Sequence, residues 1–131
     1  MRKKIVILGS TGSIGKTTFN IIKKNQKDFE IILLTTNKNV NKILFQAKLL
    51  KVKNILISSK PHYLKLKKRL KNSKIRIHNN LDNLNNIIKK KIDFTMCAIS
   101  GLSGLIPTLN AIKFSKTIGI ANKESIICGW E

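Results

Sequence analysis

Acidic residues are the scarcest class here: six Asp and Glu stand against 26 Lys and Arg, a formal net charge of +20 over 131 residues. Cysteine occurs only at Cys97 and Cys128, which excludes a disulfide framework and leaves no metal-type spacing. Aromatic residues make up 5% of the chain, so few platforms exist on which bases could stack. No run reaches the roughly eighteen apolar residues of a membrane-crossing helix. The basic start, Met1 to Lys4, is followed by only four apolar residues, too short for a secretory core. These absences lead to one cytoplasmic domain with no membrane partner.

What is present supports a packed core. Hydrophobic residues reach 42%, which argues against disorder despite the charge. The excess charge is confined: residues 1–91 carry 23 basic and 3 acidic side chains (Asp28, Glu30, Asp82), while residues 92–131 balance at three of each. Ile, Lys and Asn number 22, 23 and 14, a bias shared by A/T-rich codons that can raise lysine without selection for a polyanion. Nucleic acid is therefore not an expected partner.

Periodicity gives an alternating order. Residues 3–8 form a short β-branched run ending at Gly9, the pattern of a buried strand. Residues 13–27 follow with helical spacing that turns Ile14, Phe19, Ile22 and Ile21 inward. Further strands are expected at 29–34, 54–58, 92–99 and 117–121, with a short extra one at 75–78. Helices are expected at 40–50, 61–72, 82–90 and 102–114, and another starts at Asn122. Such alternation specifies an α/β fold: a Rossmann-like, doubly wound parallel sheet in a single domain. Counting the five principal strands, the expected order is 3-2-1-4-5, with ligand bound at the switch point between strands 1 and 4.

The chemistry is concentrated in Gly9-Ser-Thr-Gly-Ser-Ile-Gly15, between the first strand and first helix. Glycines there let main chain approach a pyrophosphate, and free N–H groups of the helix start hold its charge. Ser10, Thr11 and Ser13 are expected to add hydroxyl donors. Gly15-Lys16-Thr17 ends like a Walker A loop, but Gly9 lies one residue too far upstream. At the end of the second strand, where an NAD site places an acid, the chain reads Thr35-Thr-Asn-Lys-Asn39. A lysine in that place favours a 2′-phosphate, hence NADPH over NADH.

After the fifth strand, Asn122 suits an N-cap and Glu124 suits the helix dipole, whereas Lys123 at the first helical position does not. Ser100-Gly101 and Ser103-Gly104 end the fourth strand and could line the same cleft. Tyr63 and Lys67 spell Tyr-x-x-x-Lys, but they precede the fourth strand on a basic helix. Cys97 reads as core, Cys128 has no histidine after it, and His62 and His78 read as surface residues.

Four segments carry a resemblance: Ile7–Gly15, Asn37–Val40, Gly104–Leu109 and Ala121–Ser125. In this order they resemble the N-terminal, NADPH-binding domain of the 1-deoxy-D-xylulose-5-phosphate reductoisomerase family. The resemblance implies isomerisation and reduction of 1-deoxy-D-xylulose 5-phosphate to 2-C-methyl-D-erythritol 4-phosphate, in non-mevalonate isoprenoid precursor synthesis. By the same resemblance, Thr11, Gly12, Ser13 and Ile14 hold the NADPH phosphates, and Lys38 and Asn39 lie at the 2′-phosphate. Asn122 and Glu124 also contact NADPH, and Lys123 contacts the sugar phosphate. A divalent metal (Mg or Mn), the catalytic residues and a homodimer are implied for the full-length protein, with metal ligands beyond residue 131. No metal-binding or catalytic residue is expected within the chain, which alone is expected to be inactive. Asn37 replaces the family's usual Gly, and Asn tolerates left-handed φ better than most residues. The alternative is a free-standing dinucleotide- or polyanion-binding module.

Overall fold

The computed structural model describes residues 1–121. Six strands form one parallel sheet: β1 (Lys3–Leu8), β2 (Phe29–Thr36), β3 (Asn54–Ile57), β4 (Arg76–His78), β5 (Ile92–Cys97) and β6 (Ser115–Ile120). Their order across the sheet is β4-β3-β2-β1-β5-β6. The five principal strands stand as the sequence led us to expect, and the short extra strand joins at one edge. The helices are α1 (Ser13–Lys24), α2 (Val40–Leu49), α3 (Lys60–Arg69) and α4 (Leu105–Phe114).

Alternation along β1 explains why both faces are covered. Ile5 and Ile7 enter a core with Phe19 and Ile22 of α1, Ile43, Leu44 and Ala47 of α2, and Leu66 of α3. Val6 and Leu8 point the other way, toward Ala111 and Phe114 of α4 and toward Leu84 and Ile88. Successive strand residues face opposite sides, so a run apolar at every position marks a strand buried on both.

Three local expectations are corrected. Ile14 and Ile21 were expected inward, yet they are 47% and 57% exposed. Phe19 and Ile22 face the sheet as expected, joined by Gly15, whose side-chain-free position lets α1 approach the loop. Residues 82–90 do not form an α-helix; a single 3-10 turn, Leu84–Asn86, replaces it. Asn80 accepts the Asp82 backbone N–H at 3.1 Å, the local competition by which Asn disfavours helix. Leu84 and Ile88 are nonetheless buried, so the apolar spacing recorded burial rather than helix. The histidines are half-buried rather than surface groups: His62 Nδ1 meets Ser59 Oγ at 2.7 Å and His78 Nε2 meets Asn54 Oδ1 at 3.0 Å. Cys97 is core, 1% exposed, as expected.

Candidate functional site

The chain leaves β1 and β5 toward opposite faces, α1 on one and α4 on the other, so their carboxyl ends part and open a cleft. Its volume is about 590 Å³. Gly9, Thr11 and Gly12 form one wall, and Ala98, Ile99, Ser100 and Ser103 form the other. Thr35, Thr36 and Asn37 at the end of β2, Ser58 after β3, and Leu81 with Asp82 complete it. This is the switch point that sheet order alone designates.

The three glycines divide the work. Gly9 has φ +82°, and a Cβ there would stand 2.8 Å from the Ala98 carbonyl oxygen. It makes the turn and lets the loops after β1 and β5 touch. A Cβ at Gly15 would overlap the Gly9 carbonyl oxygen and lie 2.7 Å from Ser10 Cα, so this glycine seats the helix against the loop. At Gly12 the nearest atom to a Cβ would be 3.8 Å away. No packing within the described residues requires glycine there.

Polar groups of β2 hold the loop. The Gly9 N–H donates to Thr35 Oγ1 and the Ser10 N–H to the Thr35 carbonyl, both at 2.8 Å. Thr11 Oγ1 lies 2.6 Å from Thr36 Oγ1. Ser10 departs from its expected role as a phosphate donor. It is 0% exposed, and its hydroxyl donates to Gln46 Oε1 at 2.8 Å while Gln46 Nε2 returns a bond to the Ser10 carbonyl at 2.9 Å. Ser10 therefore ties the loop to α2.

Gly12 is the N-cap of α1, in extended conformation (φ −78°, ψ −179°). Among the described residues no side chain caps this helix, and its first turn holds no acid. The N–H groups of Ser13, Ile14 and Gly15 thus open the helix with its positive dipole end at the cleft. Ser13 and Ile14 are exposed beside them. An anion of pyrophosphate type fits this cradle.

Lys38 and Asn39 lie in the exposed turn just beyond Asn37, at the start of α2. Asn37 Oδ1 accepts a bond from Ser58 Oγ at 2.9 Å. Lys51 is the non-glycine residue with positive φ among the described residues, so the Asn37 replacement needs no left-handed backbone. Asn122, Lys123 and Glu124 lie outside the described residues. Ser100 and Ser103 reach the cleft as expected, with Ser103 Oγ donating to the Ser100 carbonyl at 3.2 Å.

Among the described residues no three His, Cys, Asp or Glu side chains gather as a metal site would require. A divalent cation does not fit them. Tyr63 and Lys67 contact each other, with Nζ 5.6 Å from the ring centre, and neither lines the cleft. The Cys97 thiol is pushed up from its ordinary pKa by burial, against a smaller lowering from the Thr108 contact, which removes it as a nucleophile. The sequence missed Gln46 and the Leu81–Asp82 wall. The first was signalled only by one polar residue inside an apolar helical stripe.

A family model described as 1-deoxy-D-xylulose 5-phosphate reductoisomerase matches residues 5–129. The protein of that name from Pelagibacter ubique is 57% identical over 130 residues, covering 98% of this chain and 34% of the relative. Its counterpart from Buchnera aphidicola is 43% identical, over 97% and 33% of the two chains. Among solved structures, the Zymomonas mobilis enzyme in complex with NADPH is similar at TM-score 0.87 and 36% identity, covering 97% of this chain and 34% of that one. A second, with NADPH, fosmidomycin and magnesium, is similar at TM-score 0.84 and 31% identity, over 95% of this chain and 31% of that one. The chain thus spans about a third of the length of the relatives it matches.

Proposed function

The chain belongs to the 1-deoxy-D-xylulose 5-phosphate reductoisomerase family, and on that premise we propose that residues 1–131 form its NADPH-binding domain. The observation that carries this reading is Gly12: glycine stands where packing among the described residues leaves open space, at a helix start with no side-chain cap over the switch-point cleft. Thr11, Gly12, Ser13 and Ile14 hold the pyrophosphate, chiefly through main-chain N–H groups. Lys38 and Asn39 receive the 2′-phosphate, which no carboxylate at the end of β2 repels. Asn122 and Glu124 contact the cofactor, and Lys123 contacts the phosphorylated sugar.

The chemistry supplied by bound NADPH is hydride donation. The chain's own share is to bind the cofactor and to orient it across the ends of β1 and β5. The full-length protein converts 1-deoxy-D-xylulose 5-phosphate to 2-C-methyl-D-erythritol 4-phosphate as a cytoplasmic homodimer, with Mg or Mn held by carboxylates outside residues 1–131. Magnesium accompanies NADPH in one solved relative.

The test is titration of the 131-residue chain with NADPH and NADH, followed by fluorescence. Tighter NADPH binding is expected. A charge-assisted hydrogen bond contributes roughly 1.5–3 kcal/mol, a ten- to hundredfold preference. Equal or tighter NADH binding overturns the 2′-phosphate reading, and binding of neither overturns the whole. NADPH oxidation by these 131 residues with substrate and Mn²⁺ would show that the catalytic groups had been misplaced.

A further inference from the structure

Helix α4 is apolar on both sides. Pro107, Thr108, Ala111 and Phe114 are buried, while Leu102, Ile106, Leu109 and Ile112 form an outer stripe at helical spacing, each between 41% and 65% exposed. A surface helix turns polar residues outward, and one that is apolar all round is a covered helix. Single exposed leucines need no explanation; four in register do. One flank of α4 is already taken, because Asn110 Nδ2 donates to the Asp82 carbonyl at 3.1 Å. Ile112 lies on the opposite flank, toward the edge strand β6. There Ile118 packs on the core of this face while still partly exposed, and Ile120 shares its side of the strand.

The chain itself delivers a cover to this place. Helix α4 starts beyond the carboxyl end of β5 and ends where β6 begins. Strand β6 runs back parallel to β5, and the Ala121 N–H donates to the Cys97 carbonyl at 3.0 Å. The backbone therefore emerges level with the first turn of α4. Residues 122–131, as the helix expected from Asn122, rise about 15 Å, the length of α4 itself. Ile126, Ile127 and Trp130 then share one face. Charge agrees: the segment carries Glu124 and Glu131 against Lys123, and the stripe ends at Lys113. A second copy would instead bring one +20 chain against another. A further apolar groove, of about 550 Å³ beside Ile21, Phe94 and Met96, is bordered by Lys3, Phe29 and Asp93 at the amino ends of the strands, away from Ala121.

We propose that the outer stripe of α4, with Ile118 and Ile120, is the seat of residues 122–131, covered by Ile126, Ile127 and Trp130. Leu109 and Ile112 are then positioning residues: through the seated segment they hold Asn122, Lys123 and Glu124 at the carboxyl ends of β5 and β6, beside the cleft. The hold on a cofactor rests on the NADPH reading above; the seat does not.

Trp130 is the single tryptophan, so its fluorescence reports the seat directly. The experiment compares the 131-residue chain with Leu109→Glu, Ile112→Glu and, on the opposite face of the sheet, Ile21→Glu. Emission maximum, acrylamide quenching and NADPH affinity are measured for each, with thermal melts confirming that each is folded. In the unmodified chain, emission should be blue-shifted and quenching several-fold weaker than for N-acetyltryptophanamide. Both α4 variants should lose the shift and quench like the free amide, and Ile21→Glu should not. NADPH affinity should fall about tenfold in the α4 variants, the worth of one charge-assisted hydrogen bond. Free-amide emission from the unmodified chain overturns the seat, as does release of Trp130 by Ile21→Glu but not by the α4 variants. A blue shift that vanishes on dilution assigns the stripe to a second copy and overturns it too. Release of Trp130 with NADPH affinity unchanged supports the seat and removes its hold on the cofactor residues. An unmodified chain that binds no NADPH takes down the cofactor reading, while the emission still decides the seat.

Discussion

Substituting alanine for each loop glycine should separate fold from ligand. In α1, Gly15→Ala gains helix propensity of roughly 1 kcal/mol, because glycine is a poor helix residue. Against that gain, its Cβ overlaps the Gly9 carbonyl oxygen and lies 2.7 Å from Ser10 Cα. Both neighbours are backbone, so neither can swing away. Overpacking of this kind costs about 1–3 kcal/mol or more, and here it should exceed the propensity gain. At Gly9, φ +82° adds a left-handed penalty of roughly 1–2 kcal/mol to the clash with Ala98. Gly12→Ala meets nothing closer than 3.8 Å. Alanine is a worse N-cap than glycine by roughly 0.5–1 kcal/mol, which a stiffer unfolded chain offsets by about 0.4–1 kcal/mol. Thermal melts should therefore place Gly12→Ala near the unmodified chain. Gly9→Ala and Gly15→Ala should fall by several degrees or fail to fold, at roughly 4 °C per kcal/mol. NADPH titration should show the reverse penalty, at least tenfold for Gly12→Ala, whose methyl occupies the approach of the pyrophosphate. A Gly15→Ala protein as stable as its parent, or a Gly12→Ala protein with undiminished NADPH affinity, refutes this division of roles.

Further consequences follow from the contacts. Ser10→Ala and Gln46→Leu each strand a buried polar partner and should cost roughly 1–3 kcal/mol, with the double variant costing less than the sum; strictly additive urea midpoints would exclude the mutual bond. Lys38→Met should lower NADPH affinity about ten- to hundredfold and spare NADH, checked in the same titrations. Asp93 accepts the Lys4 backbone N–H at 2.7 Å and pairs with Lys116 at 3.3 Å. Its pKa is lowered chiefly by that N–H, with burial opposing and the Lys116 and Lys3 charges assisting. A depressed carboxyl stabilises the fold above its ordinary pKa, and this is lost as pH falls through the folded value. Asp93→Asn should thus flatten the acid limb of stability against pH, and an unchanged limb would contradict it. In a Cys128→Ser background, Cys97 should resist an aromatic disulfide reagent until the chain unfolds, and prompt labelling would show that the thiol is accessible.

How much of this was legible depended on whether a residue's duty was local. The strand at 3–8 and the turn that follows it were readable because β-branched runs and glycines report their own backbone state. The order of the five principal strands followed from the strand–helix alternation and right-handed crossovers of a doubly wound sheet. Ile14 misled because apolar spacing cannot distinguish a core residue from an apolar residue left exposed at a helix start. The same ambiguity turned Leu84 and Ile88 into an expected helix. Ser10 misled for the opposite reason: its partner, Gln46, is 36 residues away, and no local pattern announces such a pairing.

The two ends of the cofactor site are consequently built from different material. At the proposed pyrophosphate end the donors are main-chain N–H groups, set in place by Gly9, Gly15, Thr35 and Thr36, which belong to the packing of the fold itself. At the proposed 2′-phosphate end they are the side chains of Lys38 and Asn39, exposed in the turn before α2, which can be exchanged with little structural cost. Cofactor binding is thus bound up with folding, whereas the choice between NADPH and NADH is not. Replacing Lys38 and Asn39 together, by Met and Ala, should therefore leave a folded chain that still binds dinucleotide but no longer favours the phosphorylated one. Loss of NADH binding along with NADPH in that double variant would mean that the two ends are not separable.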